Sequence, residues 1–416
     1  MSIKRKSEKM NASEAIGLIK SGMSVSIGDM NAEPMTLSTE LWRQGRELEE
    51  VTIFTGLRFT GYSFLDGEDG KAFKLKTWFI PGTVASGPKH RIRADYYPIS
   101  WAQVAPFLER TPVDVTLVQV SPADANGYHS FGTSTSHSRS MLKGAKIRIA
   151  EVNKRMPRTC GDTLVHCSEF DALVEADYDI IENPFREGDK IDRAIGRKVA
   201  ELIPDGTTLQ FGIGTIPTQV VNELVTLKRQ NLRIISQLTD AARQLIDEGC
   251  CTEENPKATV AEVLGTKDLY EWVENNPAIE MADCSVTHSA RGLSAVENFV
   301  SVNSALEVDL SGQINSEIIG GQQVGGIGGS IDFVIGGQNI GCATIIAMRS
   351  CTRDGKSRIV QQFDTPIVTS PRSLTQFVVT EFGVADLRDL TLEERKKALI
   401  AISHPDHRSE LAQSCS

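Results

Sequence analysis

Two glycine-rich stretches carry the residue types best suited to holding an anion. Thr208-Leu-Gln-Phe-Gly-Ile-Gly-Thr-Ile-Pro217 reads as a strand, a glycine turn and a helix with Pro217 in its first turn. Gly212 and Gly214 free the backbone to present N–H groups outward, and the helix N-terminus adds partial positive charge. A phosphate, a carboxylate or a developing oxyanion would be stabilised there. The segment has neither the Gly-Lys-Ser/Thr of a Walker loop nor the Gly-x-Gly-x-x-Gly pattern of dinucleotide sites. It reads equally as a tight strand–helix connection without a ligand. Gly325-Gly-Ile-Gly-Gly-Ser-Ile-Asp-Phe333 is the second stretch, where bare backbone could receive the phosphates or the long arm of a bulky cofactor. Its alternative is a series of β-turns or bulges. Two such loops near strand ends in one chain favour a ligand more than either does alone.

The other reactive side chains give less. His404-Pro-Asp-His407 has metal-like spacing, but no further His, Cys or Glu cluster completes a site, so no metal is expected. Pro405 reads instead as the start of a terminal helix. His129, His137 and His166 lie in polar loop sequence, where hydrogen-bonded imidazoles are commoner than catalytic ones. A serine-hydrolase triad has no support, since no Gly-x-Ser-x-Gly elbow occurs. The 8 cysteines include no Cys-x-x-Cys pair, which suggests reduced thiols in the cytoplasm, with vicinal Cys250–Cys251 the one redox candidate.

Elements that could position these loops are legible. Val25–Gly28, Val51–Phe54, Val113–Val120 and Lys146–Val152 read as buried strands. The stretch Asn11–Lys20 is amphipathic, with Ser13 as its expected N-cap. In the second half, a helix is expected from Ile191 to Leu202, strands at Thr207–Gly212 and Leu306–Ser311, and a capping box at Thr391–Glu394 opening a helix through Ile402. Strands separated by helical stretches argue for an α/β fold with parallel sheets. The break at Asn183–Gly188 places a boundary near 184–195.

Composition narrows the class. The chain has 416 residues, 40% of them hydrophobic and 24% charged, which excludes a disordered chain and predicts two domains. No apolar run is long enough to span a membrane. With 44 basic against 54 acidic residues the net charge is −10, so nucleic acid is a poor partner. The basic N-terminus leads into no apolar segment and reads as a flexible leader over residues 1–10.

Taken in order, several segments resemble the acetyl-CoA hydrolase/transferase family, and within it the 4-hydroxybutyrate and acetate CoA-transferases, from about residue 11 to 411. They include Ala32-Glu-Pro34, Val120-Ser-Pro-Ala-Asp-Ala-Asn-Gly127, Ala150-Glu-Val-Asn153, Gly161–His166 and Gln210–Pro217. Gly265–Tyr270, Asn303–Asp309, Gly326–Phe333, Thr380–Leu387 and Ser403–Asp406 follow. The resemblance implies two CoA-transferase-like α/β domains with mainly parallel sheets, over 11–190 and 191–416, and an active site in the cleft between them. It implies coenzyme A as the acyl-CoA substrate, a small carboxylate as acceptor, no metal, and a homo-oligomer, expected as a dimer. Gly212, Ile213, Gly214, Thr215 and Ile216 would face CoA or the oxyanion, while Asn315, Gly326, Gly328 and Gly329 would hold CoA.

In such enzymes a glutamate attacks the thioester to give an acyl-glutamyl anhydride, and CoA thiolate then converts it to an enzyme–CoA thioester. The family pattern there is Ser-Glu followed shortly by Asp-Gly. This chain reads Ser236-Gln-Leu-Thr-Asp-Ala241, one residue shorter, with Gln237 at the glutamate position. A neutral amide cannot form the anhydride. Glu262, in Val260-Ala-Glu-Val-Leu264, stands where the family usually has a hydrophobe. It either faces the cleft and takes up acid/base work, or points to solvent from an edge strand. Arg349 replaces a usual proline, with a buried carboxylate or a CoA phosphate as partner. Three readings follow: an acyl-CoA:carboxylate CoA-transferase, a CoA-thioester enzyme of altered reaction type such as hydrolysis or carbon–carbon chemistry, and a non-catalytic CoA-binding homologue.

Overall fold

The computed structural model describes residues 7–66, 69–80, 94–184, 187–339 and 341–413; most of the expected leader and Cys415 lie outside them. The chain divides into two compact units. One comprises residues 1–183 and 259–285, the other 184–258 and 286–416. The first crossing, between Asn183 and Pro184, falls near the expected break. A single cut between 190 and 191 does not describe the rest, because 259–285 groups with the first unit. Backbone pairing explains why: Thr135 N–H donates to Ala261 O, Val263 N–H to Thr133 O, and Asp162 N–H to Met281 O, at 2.8–2.9 Å.

The first unit is built on an eight-stranded sheet. Its order is Glu8–Lys9, Ala172–Ala176, Ala145–Asn153, Val113–Val120, Ser24–Ile27, Val51–Phe54, Phe73–Thr77 and Ala94–Tyr96. Every pairing in it is parallel. Parallel strands are covered on both faces, so they need near-continuous apolar sequence; seven of the eight residues of Val113–Val120 are buried. Ile27, Leu37, Leu41, Ile53, Phe73, Leu75, Leu117 and Ile149 form its core, each stabilising by about 1.5–3 kcal/mol against exposure.

Two local expectations are corrected. Residues 8–10 are not a loose leader: Glu8 N–H donates to Asp171 O at 2.9 Å and Met10 N–H to Leu173 O at 3.0 Å, adding an edge strand. The first helix, Ala12–Ile16, is capped by Asn11 and not Ser13; the Asn11 amide accepts from Glu14 N–H, and Glu14 reaches back to Asn11 N–H.

The second unit carries the strands Arg233–Leu238, Thr208–Phe211, Phe299–Asn303, Ala343–Ala347, Phe377–Thr380 and Gly383–Asp386 in that order, parallel except for the last pair. Thr391 caps Leu392–Ile402 in a capping box, and Pro405–Gln413 is the terminal helix. In both units several polar residues lie near the C-terminal ends of parallel strands, Asp29 after Ser24–Ile27, Glu151 near the end of Ala145–Asn153 and Gln237 near the end of Arg233–Leu238, where such sheets open their binding crevices.

Candidate active site

In the second unit the strand Thr208–Phe211 ends in the turn Gly212-Ile213-Gly214, and the helix Thr215–Thr226 follows. Gly214 caps that helix at φ +142°, a backbone state open to glycine. A Cβ on Gly212 would meet nothing within 4 Å, so the space beside the turn is open. Ile213 is 49% exposed, and Thr215 and Ile216 form the first helical turn with N–H groups no helical carbonyl can use. The five residues expected at an oxyanion or CoA site therefore form one continuous strand–helix turn with open space beside it.

Gln237 lies beside it. Its Nε2 donates to Phe211 O, the carbonyl just before the turn, at 2.8 Å. A kink aims it there: Ser236, within the strand Arg233–Leu238, sits at φ +90°, a strained state for a residue with a Cβ. The Ser236 hydroxyl is 3.2 Å from His288 Nε2, and His288 Nδ1 is 2.8 Å from Thr287 Oγ1. Burial pushes the His288 pKa down to about 3, so the imidazole is neutral across the physiological range. No sequence signal singled out His288.

The second glycine loop leads into the helix Ser330–Gly336, not into turns or bulges alone. Gly326 is buried, and Gly328 adopts φ +60° with open space above it. Gly329 is needed for packing, since a Cβ would come within 2.9 Å of the Phe333 ring and 3.0 Å of His288 Cδ2. Asn315, expected to hold CoA, has its amide engaged elsewhere: Nδ2 donates to Ile318 O and Glu307 Oε2, and Oδ1 accepts from Glu317 and Ile318 N–H. It shapes a turn. The adjacent Glu317 accepts from Thr369 Oγ1 and from Gln323 Nε2, which also donates to Gly325 O and so braces the loop.

Arg349 is likewise occupied. Its Nε and Nη2 grip both oxygens of Asp192 at 3.0 and 2.8 Å, and Nη2 also reaches Asp189 at 3.0 Å. Asp192 is 1% exposed, so Arg349 has a buried carboxylate as its partner and serves as a bidentate brace.

Glu262 belongs to the first unit and is 3% exposed, which removes the solvent-facing edge reading. Ser134 Oγ donates to Oε1 at 2.9 Å, while Oε2 has no hydrogen-bond partner among the described residues. Burial, reinforced by the negative charge of Asp29, pushes its pKa well above the usual carboxylate range, which favours the neutral acid. Asp29 Oδ1 lies 3.3 Å from His137 Nε2, and Asn31 Nδ2 donates to Val263 O at 2.6 Å. A cavity of about 10 Å³, room for one water, is lined by Asp29, Ser134 and His137 among others.

Two further buried carboxyls went unnoticed except as family-like segments. Glu33 pairs with Arg58 and accepts from Thr60 Oγ1 at 2.7 Å. Glu151 accepts from Tyr178 OH and from Leu37 N–H, and burial pushes its pKa up to about 7. The redox candidate is inert by contrast: Cys250 and Cys251 are buried, and desolvation pushes Cys251 up to about 12. Among the described residues no group of His, Cys, Asp and Glu could hold a metal, and no helix is long and apolar enough to cross a membrane.

Comparison with known proteins agrees with this architecture. Residues 3–183 match the acetyl-CoA hydrolase/transferase N-terminal domain, and residues 265–415 its C-terminal domain. The interval 184–264, with the first glycine turn, Gln237 and Glu262, lies between the matched segments. The 4-hydroxybutyrate coenzyme A transferase of Clostridium kluyveri is 42% identical over 331 residues, 77% of this chain and 76% of that protein. The butyryl-CoA:acetate CoA-transferase of Anaerostipes caccae is 31% identical over 99% of this chain and 97% of its own. Among solved structures, RipA from Yersinia pestis superposes with a TM-score of 0.88 at 30% identity, covering 98% of this chain and 96% of that one. The 4-hydroxybutyrate CoA-transferase of Porphyromonas gingivalis superposes with 0.80 at 32% identity, covering 98% and 97%.

Proposed function

This chain belongs to the acetyl-CoA hydrolase/transferase family, is an acyl-CoA:carboxylate CoA-transferase and, we propose, moves CoA to a small free carboxylate without an enzyme-bound covalent intermediate. The observation that carries this reading is Gln237, an amide tied to Phe211 O beside the Gly212–Ile216 turn. A glutamate there would be the nucleophile; an amide leaves that role to the acceptor substrate. Being neutral, it also spares an incoming carboxylate the repulsion of a second anion.

The acceptor carboxylate oxygen adds to the thioester carbonyl, the C–S bond breaks, and CoA leaves as thiolate with a mixed anhydride of the two acids beside it. The thiolate then adds to the acceptor-derived carbonyl of the anhydride, the C–O bond breaks, and the donor acid departs as a carboxylate. No net proton is needed. Each addition passes through an oxyanion, which the turn N–H groups would stabilise, while the open space above Gly328 would receive part of CoA. The substrates named for relatives, 4-hydroxybutyrate, butyrate and acetate, are the first to assay.

Initial rates with both substrates varied test the order of events. A ternary route gives intersecting double-reciprocal lines; parallel lines, the mark of a covalent half-reaction, would contradict it.

A further inference from the structure

We infer that His288 is a positioning residue for CoA transfer: its ring holds Ser236 in the left-handed kink that aims residue 237 at the glycine turn. The inference rests on the reading that the Gly212–Ile216 turn and Gln237 form the transfer site.

Three observations converge on this ring. Ser236 is the residue of its strand whose backbone a side chain disfavours, at φ +90°, and it directly precedes Gln237. Something must over-determine that state, because a β-strand otherwise relaxes toward negative φ. The hydroxyl of the same residue meets His288 Nε2 at 3.2 Å, and Thr287 Oγ1 fixes the other ring nitrogen at 2.8 Å. The ring is wedged: its centroid lies 4.9 Å from that of Phe333, and Gly329 packs directly on it. One side chain thus touches both the kinked strand end and the second glycine loop.

A serine–histidine pair also invites a nucleophile–base reading. Ser236 is 2% exposed and His288 6%, so a thioester has no approach to the hydroxyl, and a ring held neutral down to acid pH is a weak base. The pair holds geometry instead. Displacing residue 237 by about 1 Å would cost on the order of a hundred-fold in turnover.

The test compares replacements at Ser236 and His288. Ser236→Ala keeps the Cβ that disfavours the kink but loses the bond that holds it, whereas Ser236→Gly tolerates the φ without the bond. Turnover should fall about a hundred-fold in Ser236→Ala and in His288→Leu, with KM for the acyl-CoA within about threefold. Ser236→Gly introduced into His288→Leu should recover at least about tenfold, and His288→Gln, which can still bond Ser236, should retain most turnover. Hydrogen exchange across residues 233–238, read alongside, should rise in Ser236→Ala and His288→Leu and fall back in the glycine double variant. Equal turnover in Ser236→Ala and wild type, or no glycine rescue of either readout, would overturn the inference. A wild-type protein that transfers no CoA would instead overturn the proposed function, and the exchange readout would still decide the role of His288.

Discussion

The two units place charge differently around the residues singled out above. Both have polar residues near the C-terminal ends of parallel strands. The first unit fills its interior with acids: Asp29, Glu33, Glu151 and Glu262 are all at or below 3% exposure. Each is paired, hydrogen-bonded or held neutral, as burial requires. In the second unit the buried acids Asp192 and Glu317 brace the scaffold, and the groups around the Gly212–Ile216 turn are neutral: glycine backbone, an amide, a hydroxyl and an uncharged imidazole. On the proposed reading the buried acids serve the structure, and the neutral turn would receive anions supplied by the substrates.

The largest expected effect of this contrast is on stability against pH, with opposite signs in the two units. His288 has a folded pKa near 3, below its unfolded value near 6.5. Its contribution is therefore present above pH 6.5 and lost as pH falls toward 3, by up to about 5 kcal/mol. Glu151 has a folded pKa near 7, above its unfolded value near 4.5. Its contribution is present below pH 4.5 and lost as pH rises through 7, by up to about 3 kcal/mol, and Glu262 acts in the same direction. Urea midpoints measured from pH 4 to 9 should fall at both ends. His288→Gln should flatten the acid limb alone; if it left that limb unchanged, the neutral-imidazole assignment would be wrong.

A smaller effect sharpens the same contrast. Glu262→Gln replaces a neutral acid with a neutral amide, so stability should change by less than about 1.5 kcal/mol and turnover by less than about threefold. A loss of turnover beyond tenfold with an unchanged melting curve would show that Glu262 does acid/base work after all.

Much of the scaffold was legible because buried parallel strands leave continuous apolar runs: Val51–Phe54 and Val113–Val120 read directly from sequence. The glycine turn was legible for a related reason, since Gly214 is demanded by a local backbone angle. What escaped depends on contacts far apart in the chain. The edge strand Glu8–Lys9 exists only because residues 172–173 offer it a partner. The affiliation of 259–285 rests on pairing with residues 133–136 and 160–162. Arg349 could be assigned a carboxylate or a phosphate from sequence, and only the position of Asp192, 157 residues earlier, decides between them. His288 carried no signal, for its role depends on a strained angle at Ser236, 52 residues away.

Whether position 237 carries a covalent intermediate is read most directly from intact mass. After incubation with acyl-CoA, wild-type protein should keep its unmodified mass while CoA moves to the acceptor. Gln237→Glu should acquire a CoA adduct that hydroxylamine removes. A hydroxylamine-labile CoA adduct on the wild-type chain would contradict the account.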